Sequence, residues 1–186
     1  MDLSGKVAVV TGAANGIGAA TARKLAALGT SVVVADIDEK NGQAVAGELG
    51  DQGTFKKLDV TSLASYEQLY DETVKEQGGI DIVHLNAGVL TRGGDDPEPH
   101  DYVLPRLTEK NFRKVESINI DGVVFGTIAA VPHLEARGGG QFVMPQTPVK
   151  PAVSAPRARS TSASRLRRIC GWNRWNSTAI GRAQLW

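Results

Sequence analysis

The first stretch able to do chemistry is Thr11-Gly12-Ala13-Ala14-Asn15-Gly16-Ile17-Gly18, which follows the apolar run Val7-Ala8-Val9-Val10 and leads into a helical stretch from Ala19 to Leu28. A loop of this composition can cradle a pyrophosphate: Gly12 turns the backbone, Gly16 has no Cβ to block a ligand, and Gly18 lets helix and strand pack closely. The helix start adds unpaired N–H groups and about half a positive charge. The Gly-x-x-x-Gly-x-Gly spacing differs from the Gly-x-Gly-x-x-Gly of the general dinucleotide fingerprint, so the surrounding residues have to decide its meaning.

Asp36 stands 18 residues after Gly18, at the end of the apolar run Ser31 to Ala35. A carboxylate there can accept from both hydroxyls of an adenosine ribose, at about 1.5–3 kcal/mol per bond to a charged acceptor. It would also repel a 2′-phosphate, and no Lys or Arg lies between Gly12 and Gly18 to attract one, so the expected cofactor is NAD and not NADP. Asp59-Val60 could meet the adenine amino group and ring face, or Asp59 could simply cap a helix. Asn86-Ala87-Gly88 could set an amide and small residues against a cofactor, or form an ordinary turn. His84, between Val83 and Leu85, reads as a buried, hydrogen-bonded histidine. Asn119, in Ile118-Asn119-Ile120, is a polar residue in an apolar helical stretch. No residue is assigned to a metal.

These residues need strand ends to hold them together. Short apolar runs at Val7 to Val10, Ser31 to Ala35, Thr54 to Leu58, Ile80 to Leu85 and Gln141 to Met144 read as strands. Between them, Ala19 to Leu28, Asn41 to Leu49, Leu63 to about Gln77 and Glu109 to about Glu135 read as helices. The first is expected to bury Ile17, Thr21, Leu25 and Leu28 and to end at Gly29. Thr61-Ser62 and Thr108 supply capping groups, Pro132 is expected to kink or end the last helix, and residues 89–107 read as an exposed loop. Alternating strands and helices predict an α/β domain with a parallel sheet, helices on both faces, and a ligand site at the carboxyl ends of the strands.

Composition divides the chain near residue 144. Residues 1–144 carry 13 Lys+Arg against 20 Asp+Glu, a balance of −7, whereas residues 145–186 carry 8 basic residues and no acidic ones. The two domains read are therefore a dinucleotide-binding unit over 1–144 and a basic tail of low order over 145–186. A single cysteine, Cys170, excludes an internal disulfide framework, the start lacks a signal-peptide pattern, and no run approaches the roughly 20 apolar residues of a membrane span, so a cytoplasmic address is expected. The tail's Arg and Trp residues form no recognised nucleic-acid module, which argues against nucleic acid as a partner.

Thr11 to Gly18, Asp36, Asp59-Val60, Asn86-Ala87-Gly88 and Asn119, in this order, resemble the short-chain dehydrogenase/reductase family over about residues 4–143. The resemblance implies a Rossmann-like doubly wound sheet, here truncated after about five strands, hydride transfer between NAD(P) and an alcohol or carbonyl, and usually a homodimer or homotetramer, an assembly that is not assigned to this chain. It places Gly12, Asn15, Gly16, Ile17 and Gly18 at the pyrophosphate, Asp36 at the ribose, Asp59 and Val60 at the adenine, and Asn86, Ala87 and Gly88 at the nicotinamide. Asn119 would match the helix asparagine that anchors a proton-relay water. Leu85 departs from the pattern, since many members carry a first Asn there.

The family's chemistry also needs a Ser, a Tyr and a Lys four residues after that Tyr. Tyr66, Tyr70 and Tyr102 are followed four residues later by Tyr70, Val74 and Arg106, so none supplies the motif. Thr147 falls near the expected Ser, next to the strand-breaking Pro145. Two readings of the tail follow. Read one base out of frame, Trp172-Asn173 and Trp175-Asn176 each yield Glu, and Ser160/Thr161 and Ser164/Arg165 permit Tyr and Lys four codons apart; the tail then is an out-of-frame translation of a dehydrogenase gene. Alternatively the chain is a non-catalytic NAD-binding protein with a basic interaction arm.

Overall fold

The computed structural model describes residues 2–90 and 108–144. Five strands form one sheet: β1 (Val7–Thr11), β2 (Ser31–Asp36), β3 (Gly53–Lys57), β4 (Ile82–His84) and β5 (Gln141–Val143). Every pairing is parallel, in the order β3-β2-β1-β4-β5. The chain winds outward from β1 to β3, then returns to the other side of β1 for β4. The carboxyl ends of β1 and β4 therefore flank a switch point, where an α/β sheet leaves a crevice.

Side chains alternate across the strands and make two cores. Val9, Val33 and Val83 face Tyr66, Leu69 and Tyr70 of α3 (Leu63–Gln77) and Ala130 and Leu134 of α5 (Gly122–Ala136). Val10, Val32 and Val34 face Ala19 and Ala22 of α1 (Gly16–Ala26) and Val45 and Ala46 of α2 (Glu39–Glu48). The doubly wound α/β architecture is thus present over the described residues. The tail (145–186), Thr147, Tyr102 and residues 91–107 of the expected loop lie outside them.

Local chemistry sets the boundaries. Asp38 starts α2 earlier than the expected Asn41 because its carboxylate accepts the Asn41 N–H at 3.1 Å. Ser62 caps α3 through the Ser65 N–H at 3.2 Å, and Gly78 ends it in the left-handed region at φ 79°. The fourth strand is shorter than expected: the Asn86 N–H folds back onto the His84 carbonyl at 3.0 Å and closes the ladder.

Two helices differ from expectation. In α1 the buried face is Gly18, Ala19 and Ala22, while Ile17 is 71% exposed. The helix makes its closest approach to the sheet through these small residues, and Leu25 packs half-buried against the same core. The long C-terminal helix is also not uniform. It comprises α4 (Glu109–Glu116), a π-helical turn at Ser117–Asp121, and α5. Thr108 caps α4 through the Asn111 N–H at 3.2 Å. Pro132 sits inside α5 without ending it, because Ile128 and Pro132 both lie on the exposed side, where water can take the freed carbonyl. Together these segments run 28 residues, within which an 18-residue window reaches a mean hydropathy of 1.2, enough by length and composition to cross a membrane. Their small side, with Gly126, Ala129 and Ala130, is instead packed on the core. Ile120, Val124 and Ile128 form an apolar stripe on the outer side.

At the opposite end of the sheet from the crevice, buried Asp81 ties three segments. Its carboxylate accepts the Val7 N–H at 3.0 Å, Lys6 Nζ at 3.0 Å and the Arg137 guanidinium at 3.4 Å. Burial raises the Asp81 pKa, but the Val7 N–H, Lys6 and Arg137 outweigh it and hold the carboxyl below its ordinary value. Asp81→Ala leaves the Val7 N–H unpaired and is expected to cost about 1–3 kcal/mol, several degrees in Tm. Because the folded pKa is depressed, the contribution is present above about pH 4 and is lost as pH falls through the folded value. The Tm difference between wild type and Asp81→Ala at pH 7 should therefore shrink at pH 3, and an equal difference at both would contradict the assignment.

Candidate functional site

The glycine loop leaves β1 with Gly12 at φ 64°, and a Cβ on Gly12 would stand 2.7 Å from Ala87 Cα. The loop and the end of β4 therefore touch through backbone. A Cβ on Gly18 would meet the Gly12 carbonyl oxygen and, at 2.7 Å, Asn86 Nδ2. Gly16, at φ 54°, has no atom within 4 Å of its missing Cβ, so the loop is open above it. Asn15 is the N-cap residue of α1 and makes no capping hydrogen bond with its side chain.

Asp36 fixes this loop from β2. Its Oδ2 accepts the Ala14 N–H at 2.9 Å and its Oδ1 accepts the Asp38 N–H at 3.0 Å. Each oxygen keeps acceptor capacity for a ligand hydroxyl. Asp59 is held by the Thr61 backbone N–H at 2.9 Å and hydroxyl at 2.7 Å, and the helix cap beside it is Ser62, so its role is not helix capping.

From β4, Asn86 Nδ2 donates to the carbonyls of Thr11 at 3.1 Å and Gly12 at 3.2 Å, so this amide braces the loop. The Ala87 N–H donates to the Thr11 hydroxyl at 3.1 Å. Asn119 lies in the π turn and clasps the next backbone segment: its Oδ1 accepts the Val89 N–H and its Nδ2 donates to the Val89 carbonyl, both at 2.9 Å. A π turn presents a side chain at an angle that a regular helix does not, and such turns are frequent at functional sites.

These elements enclose an open cleft of about 580 Å3 at the carboxyl ends of the strands. Gly12, Asn15, Ile17, Asp36, Asp59, Val60, Asn86, Ala87 and Gly88 line it. Gly16 and Gly18 do not line it, Gly18 because it is the packing contact beneath the loop, and Asn119 acts on the wall from behind. Ile37, Leu58, Thr61, Val89 and Ile118 also line it and are not singled out by motif. The first four adjoin expected residues at strand ends, and Ile118 adjoins Asn119 in the π turn. A glycine loop at a helix start beside two strand-end carboxylates can hold an extended, phosphate-bearing ligand with polar groups at both ends.

His84 is buried as expected, but its Nδ1 has no hydrogen-bond partner among the described residues. Burial lowers its pKa, so it is a neutral core residue. Tyr66 and Tyr70 are also buried in the core, and burial raises both phenol pKa values.

The short chain dehydrogenase family profile matches residues 6–145. The chain belongs to the short-chain dehydrogenase family. Among curated relatives, this dehydrogenase-family chain is 37% identical over 141 residues to a 3-alpha-(or 20-beta)-hydroxysteroid dehydrogenase of Mycobacterium tuberculosis, covering 76% of the chain and 51% of that protein. It is 37% identical to a galactitol 2-dehydrogenase of Agrobacterium fabrum, covering 75% of the chain and 52% of that protein. A solved structure of 3-ketoacyl-(acyl-carrier-protein) reductase from Brucella melitensis, complexed with NADH, superposes with a TM-score of 0.68 at 27% identity, covering 77% of the chain and 57% of that structure. The chain spans about half the length of these two curated relatives.

Proposed function

We propose that the cleft binds NAD(H), with the pyrophosphate over Gly12 to Gly18 and Asn15, the adenosine ribose on Asp36, the adenine between Asp59 and Val60, and the nicotinamide toward Asn86, Ala87 and Gly88. The observation that carries this reading is the bond from Ala14 to Asp36, which places a carboxylate against the glycine loop at the position suited to a ribose diol. By family the chemistry is oxidation of an alcohol or reduction of a carbonyl on a small molecule, with a cytoplasmic setting. NAD supplies a hydride acceptor when bound. This chain's residues shape and brace the cleft: Asn86 and Thr11 hold its floor, and Asn119 holds the Val89 segment.

Hydride transfer in the chain as written is impaired. Its sequence lacks Tyr-x-x-x-Lys, and Tyr66 and Tyr70 are core residues. Loss of a positioned general acid/base costs about 10²–10⁴-fold in rate. With NAD and a panel of secondary alcohols, NADH production is expected to stay at background while NADH binding is measurable by fluorescence. Turnover at ordinary dehydrogenase rates would refute the impairment.

The burial of both tyrosines favours a second reading, a non-catalytic NAD-binding protein with residues 145–186 as an interaction arm. The out-of-frame reading of the tail is separable by sequencing the gene: a shifted frame without Tyr-x-x-x-Lys removes it.

A further inference from the structure

His84 is a buried titratable group that the cleft chemistry leaves unused. It stands in β4 opposite Val10 of β1 and Val143 of β5, so its side chain shares with theirs the face of the sheet on which α1 and α2 pack. The residue is 5% exposed, and its Nδ1 is buried with no hydrogen-bond partner among the described residues. The charged groups on the elements around it are engaged elsewhere or turned to solvent. Lys6, before β1, binds Asp81 at the far end of the strands, and Arg137 binds the same carboxylate. On α1, Arg23 and Lys24 are exposed, and Arg23 pairs with Glu48 of α2 at 2.7 Å. No charged residue lies in β5, and His133 pairs with Asp71 across α5 and α3, the helices of the opposite face.

A protonated imidazole carries a donor on both nitrogens. Nδ1 would then hold a proton and a share of positive charge with no acceptor, which a buried site disfavours strongly. Burial accordingly holds the His84 pKa below its ordinary 6.5. The stability contributed by the neutral ring is therefore complete above about pH 6.5 and is lost as pH falls through the lowered folded value. Close to the ring, the strand has one weak place to yield. The His84 carbonyl accepts the Asn86 N–H at 3.0 Å, the bond that closes β4. Asn86 in turn holds the Thr11 and Gly12 carbonyls of the glycine loop. One residue, Leu85, separates the imidazole from that brace.

We propose that His84 is a proton-sensitive joint between the sheet and the cofactor cleft: a proton taken up from solvent by its buried imidazole loosens the end of β4, and with it the Asn86 brace, so that cofactor binding weakens in mild acid. The cofactor part of this inference rests on the NAD reading above. The loosening of β4 does not, since it concerns the protein alone.

The test uses the full chain, with His84→Val, which keeps a strand former, and His84→Gln, which keeps a polar side chain; neither titrates. Calorimetric titration with NAD+ at pH 7.5 and pH 5.0 should show the wild-type Kd rising about fivefold in acid, because apparent Kd rises in inverse proportion to the competent fraction. In whichever variant folds, the rise should stay below about twofold. Without ligand, the exchange protection of the Asn86 N–H should fall between the same two pH values in wild type and hold in the variants. An equal pH dependence of Kd in wild type and variants would overturn the coupling to the cleft. A wild-type imidazole whose NMR signals show no titration between pH 7.5 and 5.0, or protection at Asn86 that does not change, would overturn the joint itself. A wild-type chain that binds no NAD+ at pH 7.5 would instead overturn the NAD reading, and the exchange experiment would still decide the loosening of β4.

Discussion

Gly18→Ala is expected to raise the NADH Kd by about 100-fold or more and to lower Tm by several degrees. The added methyl would collide with the Gly12 carbonyl oxygen and with Asn86 Nδ2 at 2.7 Å. Neither can step aside, since the first is backbone of the glycine loop and the second is held by the Thr11 and Gly12 carbonyls. Overpacking of this kind costs about 1–3 kcal/mol even where neighbours adjust, and here the neighbours form the cleft. Gly16→Ala is the informative control. Its φ of 54° carries a strain of about 1–2 kcal/mol for a residue with a Cβ, but the methyl would meet no atom within 4 Å. Thermal melting and fluorescence titration of both variants decide the matter, and Gly18→Ala binding within about threefold of wild type would contradict the packing role.

Asp36→Ala is expected to weaken NADH by about 100-fold and to abolish the preference over NADPH. Two hydrogen bonds from a ribose diol to a carboxylate are worth about 1.5–3 kcal/mol each. Part of the loss comes from the protein itself, because the Ala14 and Asp38 N–H groups lose their acceptor. Removing the negative charge also removes the repulsion of a 2′-phosphate, so NADPH affinity should hold or rise while NADH affinity falls. Parallel titrations with the two reduced cofactors measure the ratio. A variant that keeps the wild-type preference would place the ribose elsewhere.

Much of this architecture is legible in the chain because its determinants are local. β-Branched runs mark the strands. Ser62 and Thr108 mark helix starts by side-chain capping, and Gly78 marks a helix end through its positive φ. The strand-end positions of Asp36, Asp59 and Asn86 follow once a parallel sheet is inferred. Ile17 shows where local reasoning fails: a periodic apolar face predicts its burial, but the helix approaches the sheet through Gly18, Ala19 and Ala22 and leaves it exposed. His84 shows a second kind of failure. Its burial follows from its apolar neighbours, whereas whether Nδ1 finds a partner depends on groups distant in sequence.

By itself, the sequence determined the α/β alternation, the glycine loop and its carboxylate companions, and the break in composition near residue 144, since each depends on residue type and short-range spacing. Tertiary structure alone decided that Asn86 braces the loop and that Asn119 clasps Val89 from a π turn. Asn86 and Thr11 are 75 residues apart and Asn119 and Val89 are 30 apart. Hydrogen bonds of this range are set by where the sheet and its flanking helices bring backbone groups together. No periodicity along the chain encodes that placement.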